Sequence, residues 1–187
     1  MAELIADLFV SLDGFAAGVE TGPFFGYSGP ELESWVSDAL GRPQLIVMGR
    51  VTYQALAAIS SSATDEVSSR MGDLPKVVVS NSLAEPLAWA NTRLIRGDLG
   101  GQIGTLKRRS PVPLRSIGSI TLVGGMMRLG LVDRLRVAVF PLILGDAGRE
   151  PAFAGHRRAG LELVSTKVLD SRLVMLEYRP ASGPSLA

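Results

Sequence analysis

The stretch Leu45-Ile46-Val47-Met48-Gly49-Arg50-Val51-Thr52-Tyr53 decides how the rest of the chain is read. An unbroken apolar run suits a strand buried on both faces. It ends at Gly49-Arg50, and a helix-compatible segment starts at once. The pattern predicts a strand over 44–48 feeding a helix over 50–58. Such a junction presents a helix N-terminus, whose unpaired N–H groups and partial positive charge suit a phosphate. Gly49 allows close approach of the backbone to a ligand. Arg50 adds a guanidinium fork that matches a phosphate monoester. The same residues also read as an ordinary strand-to-helix turn with a solvated arginine, so the flanking segments must decide.

Upstream, residues 2–10 are near-continuously apolar except for Glu3 and Asp7, and predict another doubly buried strand. A charge in mid-strand needs a partner or a pocket. Asp7 is therefore either a paired structural carboxylate or a cleft residue. Residues 11–29 form a long glycine-rich loop carrying Phe15, Phe24, Phe25 and Tyr27, a composition associated with function. Pro30 to Leu40 has a proline start, Glu31 and Glu33 in its first turn, and an apolar face ending before Gly41. That is an amphipathic helix.

Downstream, residues 60–72 are serine-rich and predict a weak helix or loop, and 76–80 a buried strand. Residues 92–96 predict a short strand and 98–109 a helix closed by Lys107-Arg108-Arg109. The next segment has two readings. In one, Ile120 to Val123 is a strand running into Gly124-Gly125. In the other, Leu114 to Ile117 is the strand, Gly118-Ser119 the turn, and 119–129 a helix stopped by Gly130. The first leaves too few residues for a crossover between parallel strands, so the second is adopted. Gly124 and Gly125 then become small helix residues where another element packs closely. Residues 134–144 predict a strand with Pro141 as an edge or bulge signal. Residues 145–160 predict a polar loop with His156 in solvent. A hairpin turning at Asp170-Ser171 follows, then a frayed tail over 181–187.

Composition excludes several functions. With 19 basic and 18 acidic residues, the net charge of +1 offers no field for nucleic acid or an anionic membrane. No cysteine and one histidine leave no thiolate chemistry and no zinc site. No run reaches transmembrane length and no leader is recognisable. The expectation is one soluble, cytoplasmic domain over 1–180, of α/β class, with a mainly parallel sheet and antiparallel C-terminal strands.

Six pieces in order extend this reading. They are Val10-Ser11-Leu12-Asp13-Gly14, Met48 to Tyr53, Leu74 to Ser80, Gly118 to Leu122, Gly130 to Leu135 and Phe140 to Gly145. Together they resemble the dihydrofolate reductase superfamily, in its branch of riboflavin-biosynthesis reductase domains. The resemblance implies a dihydrofolate reductase-like three-layer sandwich. It also implies NADPH across the carboxyl ends of the strands, as is general for open α/β sheets.

Carried over residue by residue, Gly49, Arg50 and Thr52 hold the adenosine-side phosphate, and Ser80 and Asn81 line the adenine ribose. Gly118, Ser119, Ile120, Thr121 and Leu122 give N–H groups to the pyrophosphate, and Val10, Ser11 and Asp13 border the nicotinamide. In dihydrofolate reductases a carboxylate early in the first helix handles the proton. Glu31 occupies that region, with Asp7 as the rival. Phe24, Phe25 and Tyr27 are the rings for a flat heteroaromatic substrate. The implied activity is reduction of a small heterocycle by NADPH. Two alternatives are the riboflavin-pathway reduction of 5-amino-6-(5-phosphoribosylamino)uracil and a non-catalytic NADPH binder. The chain lacks the zinc-dependent deaminase domain of the bifunctional relatives. The resemblance further implies a homodimer, formed by the C-terminal strands and Gly130-Leu131-Val132-Asp133.

Overall fold

The computed structural model describes residues 1–62, 65–156 and 158–181. Its strands are β1 (Leu4–Ser11), β2 (Phe15–Gly18), β3 (Leu45–Gly49), β4 (Lys76–Val79), β5 (Thr92–Ile95), β6 (Leu114–Ile117), β7 (Arg134–Phe140), β8 (Gly148–Pro151), β9 (Leu161–Leu169) and β10 (Leu173–Pro180). Its α-helices are α1 (Pro30–Leu40), α2 (Arg50–Ser62), α3 (Glu66–Asp73), α4 (Leu99–Arg109) and α5 (Ile120–Arg128). The main sheet runs β5-β4-β3-β6-β1-β7-β10-β9. Its first six strands pair in parallel. β10 pairs antiparallel with β7 and β9. This is the expected three-layer α/β sandwich.

The period-2 geometry of the strands divides the core between the two faces. Leu4, Ala6, Leu8 and Val10 of β1 point to one face and pack with Ile103 of α4 and Val123 and Met126 of α5. The opposite face carries Ile46, Met48 and Val78, which pack with Leu40 of α1, Tyr53 of α2 and Met71 of α3. Further along that face, Phe140 packs with Leu32 and the C-terminal hairpin.

The turn at 118–119 confirms the second reading of that segment: β6 ends at Ile117 and α5 follows. The glycines read as close-packing positions are so placed. A Cβ on Gly125 would come within 2.8 Å of the Leu99 side chain, and one on Gly124 within 2.9 Å of His156. Residues 66–73 are a true helix, capped by the Asp65 carboxylate, which accepts from Ser68 N–H. Lys76, buried in β4, holds the other end of that helix. Its ammonium donates to the carbonyls of Met71, Gly72 and Leu74 at 2.9, 2.7 and 2.7 Å and lies over the Trp89 ring. Burial pulls its pKa down to about 8.

One local expectation changes. The loop over 11–29 contains β2, which pairs antiparallel with β8 from the segment read as loop. In the segment from Gly130 to Asp133, Val132 is buried in the core and Leu131 packs against it partly buried. The tail expected to fray lies outside the described residues beyond Ala181.

Candidate functional site

The carboxyl ends of β3 and β6 lie side by side, because the two strands pair in parallel from Leu45↔Leu114 to Val47↔Ser116. β3 runs straight into α2, and β6 turns through Gly118-Ser119 into α5. Two helix N-termini therefore converge on one groove of about 850 Å³. Gly49, Arg50, Thr52, Ser119, Ile120, Thr121 and Leu122 all line it.

The turn is built for this. Gly118 and Ser119 both take left-handed φ, at 58° and 62°. Glycine does so freely, whereas serine does so at a cost. The Ser119 hydroxyl offsets that cost by accepting from Gly49 N–H at 2.9 Å and donating to Thr52 Oγ1 at 2.8 Å. No side chain caps α5, so its first N–H groups have no partner within the helix and open toward the groove. Gly118 differs from its expected role: its N–H donates to the Asp7 carbonyl at 3.0 Å.

Asn81, Gly97 and Leu99 form one wall. Asn81 Oδ1 accepts from Gly97 N–H at 2.9 Å. Ser80 does not line the groove. It is buried, and its hydroxyl accepts from Ser82 and Leu83 N–H, closing the turn after β4. The other wall holds Glu150, Pro151 and His156, with Arg128 at the end of α5. Among the described lining residues the cations are Arg50, Arg128 and, when protonated, His156, against one acid, Glu150.

His156, expected in solvent, is half-buried against Gly124. Burial, and then the Arg128 charge, hold its pKa below the ordinary 6.5. The signal that could have found it was the Gly124-Gly125 pair, which required a neighbour. Arg128 carried no such signal.

Val10, Ser11 and Asp13 do not line the groove. Val10 and Ser11 are buried at the end of β1. Asp13 is a clamp: its carboxylate accepts from Ser11 Oγ at 2.6 Å and from the N–H groups of Leu144 and Gly145 at 3.1 and 2.8 Å. These bonds, the Ser11 hydroxyl first, hold its pKa below the usual carboxylate value.

Asp7 and Glu31, the carboxylates expected at the proton-transfer position, both have structural partners. Asp7 is almost fully buried and forms ion pairs with Arg115 Nε and, at 2.6 and 3.0 Å, with Arg136. This is the paired-carboxylate alternative. Removing one member of such a buried cluster costs about 3–5 kcal/mol, since it strands the remaining charge. Glu31 is exposed and accepts from Asp170 N–H in the β9–β10 turn. Asp170 in turn accepts from Glu31 and Leu32 N–H at 2.9 and 3.0 Å, which caps α1. Neither Asp7 nor Glu31 lines the groove.

The aromatic residues gather on the α1 face of the sheet. Phe9 meets Phe24 edge-on at 5.3 Å, and Phe25 and Tyr27 pack on Phe140 at 5.2 and 5.9 Å. Phe25 and Tyr27 thus serve the core. Phe24 lines a second, apolar cavity of about 180 Å³ between α1, α2 and α3. Phe24 and Phe25 both have left-handed φ, 52° and 54°.

The chain is 24% identical over 184 residues to the uncharacterized protein YyaP of Bacillus subtilis (strain 168), covering 94% of this chain and 93% of that one. Its fold is shared with a Shewanella sp. PV-4 protein described as a riboflavin biosynthesis protein. The TM-score is 0.71 at 20% identity, over 97% of this chain and 100% of that one. The Saccharomyces cerevisiae riboflavin biosynthesis reductase Rib7 superposes with a TM-score of 0.65 at 15% identity, over 96% and 90%. The RibD C-terminal domain family matches residues 2–175. A chain matched over almost its whole length, with the α/β sheet in place, belongs to the RibD C-terminal domain family.

Proposed function

We propose that the protein is an NADPH-dependent reductase of a small heterocyclic substrate, with the cofactor in the groove between β3 and β6. The supporting observation is the convergence of the N-termini of α2 and α5, the latter without a side-chain cap, on a groove whose charged residues are mainly cationic. A dinucleotide carries negative charge at its pyrophosphate and, in NADPH, at the 2′-phosphate. Helix N-termini answer the first and a guanidinium the second. Bound NADPH would supply the hydride. The chain's own residues bind and orient it: Ser119 to Leu122 at the pyrophosphate, Arg50 with Thr52 at the 2′-phosphate, and Asn81 at the adenosine.

Fluorescence titration of the purified protein with NADPH and NADH tests the reading. Micromolar NADPH binding is expected, with NADH at least tenfold weaker, about 1.4 kcal/mol. Arg50→Ala should bring the two cofactors together. Equal affinity for both in the unaltered protein would remove Arg50 from the 2′-phosphate role. No binding of either would sink the whole reading.

Family membership also favours a second reading, reduction of 5-amino-6-(5-phosphoribosylamino)uracil. It expects turnover with the phosphorylated substrate alone. Tight NADPH binding with no turnover of any heterocycle would instead mark a cofactor-binding protein without catalysis.

A further inference from the structure

The groove between β3 and β6 continues along α5, where a guanidinium and an imidazole come together. Gly124 and Gly125 sit side by side within this helix, and Arg128 follows at its end. A helix side chain leans toward the helix N-terminus. The Arg128 guanidinium accordingly folds back over Gly125, its Nη2 3.9 Å from the place a Cβ there would take. From the loop after β8, His156 brings its Nε2 within 2.9 Å of the place of a Gly124 Cβ. Glycine is a poor helix former. At Gly124 the missing Cβ is what gives the imidazole its seat.

Both groups line the groove, and among the described residues neither side chain has a hydrogen-bond or ion-pair partner. Glu150, the one acid among the described lining residues, pairs with neither. The two groups also oppose each other: after burial, the Arg128 charge is what lowers the His156 pKa. An anion within reach of both reverses that opposition. Arginine offers a planar fork of donors, and histidine an N–H in either protonation state. A phosphate monoester carries about −1.5 to −2 charge at pH 7 and three acceptor oxygens, enough to serve both. A carboxylate has one charge and two oxygens, which the fork alone satisfies.

We propose that Arg128 and His156, over Gly124 and Gly125, form a subsite for a phosphate monoester. Arg128 stands eight residues beyond Ile120, about 12 Å along the helix axis from the N-terminus assigned to the pyrophosphate. The phosphate is therefore either the 2′-phosphate of NADPH, shared with Arg50, or that of a second ligand lying along α5. The first source rests on the reductase reading above. The anion preference does not.

The test titrates inorganic phosphate and acetate by ligand-observed NMR, with and without NADPH, on the unaltered protein and on Arg128→Ala, His156→Gln and Gly124→Ala. Thermal melting checks that the variants fold. Gly124→Ala displaces the imidazole while improving the helix, so its melting temperature should hold or rise as its phosphate affinity falls. Phosphate should bind the cofactor-free protein at least about tenfold more tightly than acetate, and each variant should weaken it at least about tenfold. Fluorescence titration with NADPH and NADH then names the source. Displacement of phosphate by NADPH, with Arg128→Ala weakening NADPH about tenfold and sparing NADH, assigns the cofactor's 2′-phosphate. Every other pattern in which phosphate binding depends on these residues assigns a second ligand. The proposal is overturned if phosphate does not bind, if acetate binds as well, or if Arg128→Ala and Gly124→Ala leave phosphate affinity unchanged. Variant-sensitive phosphate binding without any NADPH binding would uphold the subsite and reject the reductase reading. NADPH binding with phosphate binding indifferent to the variants would reject the subsite alone.

Discussion

Ser119 Oγ donates to Thr52 Oγ1 across 2.8 Å, so one hydroxyl ties the N-terminus of α5 to the first turn of α2. The same oxygen accepts from Gly49 N–H, the last residue of β3. The β3–α2 junction and the start of α5, 70 residues apart in sequence, are thus locked together by a single side chain. Ser119→Ala removes both bonds and leaves a left-handed residue without compensation. Each lost bond is worth about 1 kcal/mol. The variant should bind NADPH roughly tenfold more weakly by fluorescence titration. An unchanged affinity would mean that the tie does not shape the cofactor site.

His156 links the groove to pH. Its folded pKa lies below 6.5 because burial and the Arg128 charge disfavour the imidazolium. The folded state therefore binds fewer protons than the unfolded one as pH falls below that value. Stability from this group is complete above about pH 6.5 and is lost as pH drops toward the folded pKa. The melting temperature should decline on acidification from about pH 7.5 to about pH 5, and His156→Gln should flatten part of that decline. An identical pH profile in the variant would remove His156 as its source.

Asp170 carries the N-terminus of α1 on a hairpin turn 139 residues away in sequence from Glu31. Its two carboxylate oxygens accept from Glu31 and Leu32 N–H. Asp170→Ala should destabilise the fold by about 1–2 kcal/mol, as other lost N-caps do. Chemical denaturation measures this. Glu31→Gln should cost less, and because Glu31 stands at this turn and not at the groove, it should leave NADPH affinity unchanged.

The outer strand β9 exposes Leu163 at 57% and Val168 at 58%, and its partner β10 exposes Val174 at 36%. An apolar edge strand invites pairing with another chain. We expect a homodimer by light scattering, formed on β9 and β10. Leu163→Lys with Val168→Lys should yield a monomer with its melting temperature little changed. A monomeric parent protein would remove this surface as an interface.

Much of the architecture was legible in local patterns. Pro30, Glu31 and Gly41 mark α1, which spans Pro30–Leu40 as read. The doubly apolar runs at β1, β3 and β4, the positive-φ pair Asp170-Ser171, and the crossover-length argument at 114–130 depend on neighbours within a few residues. The groove was partly legible for the same reason: Gly49, Arg50, Thr52 and Ser119 to Leu122 sit at strand ends, where a strand-to-helix junction dictates what faces outward.

The sequence by itself determined the strand and helix periods, the mainly parallel pairing they impose and the helix N-termini that follow β3 and β6. Only the tertiary structure decided the partners. Phe15 pairs with Pro151, Asp7 with Arg115 and Arg136, Glu31 with Asp170, and His156 lies on Gly124. A carboxylate reads the same in sequence whether it ends beside a cofactor or between two guanidiniums. Its role follows from charges brought within hydrogen-bond reach by sheet order, and that proximity is a property of the folded chain.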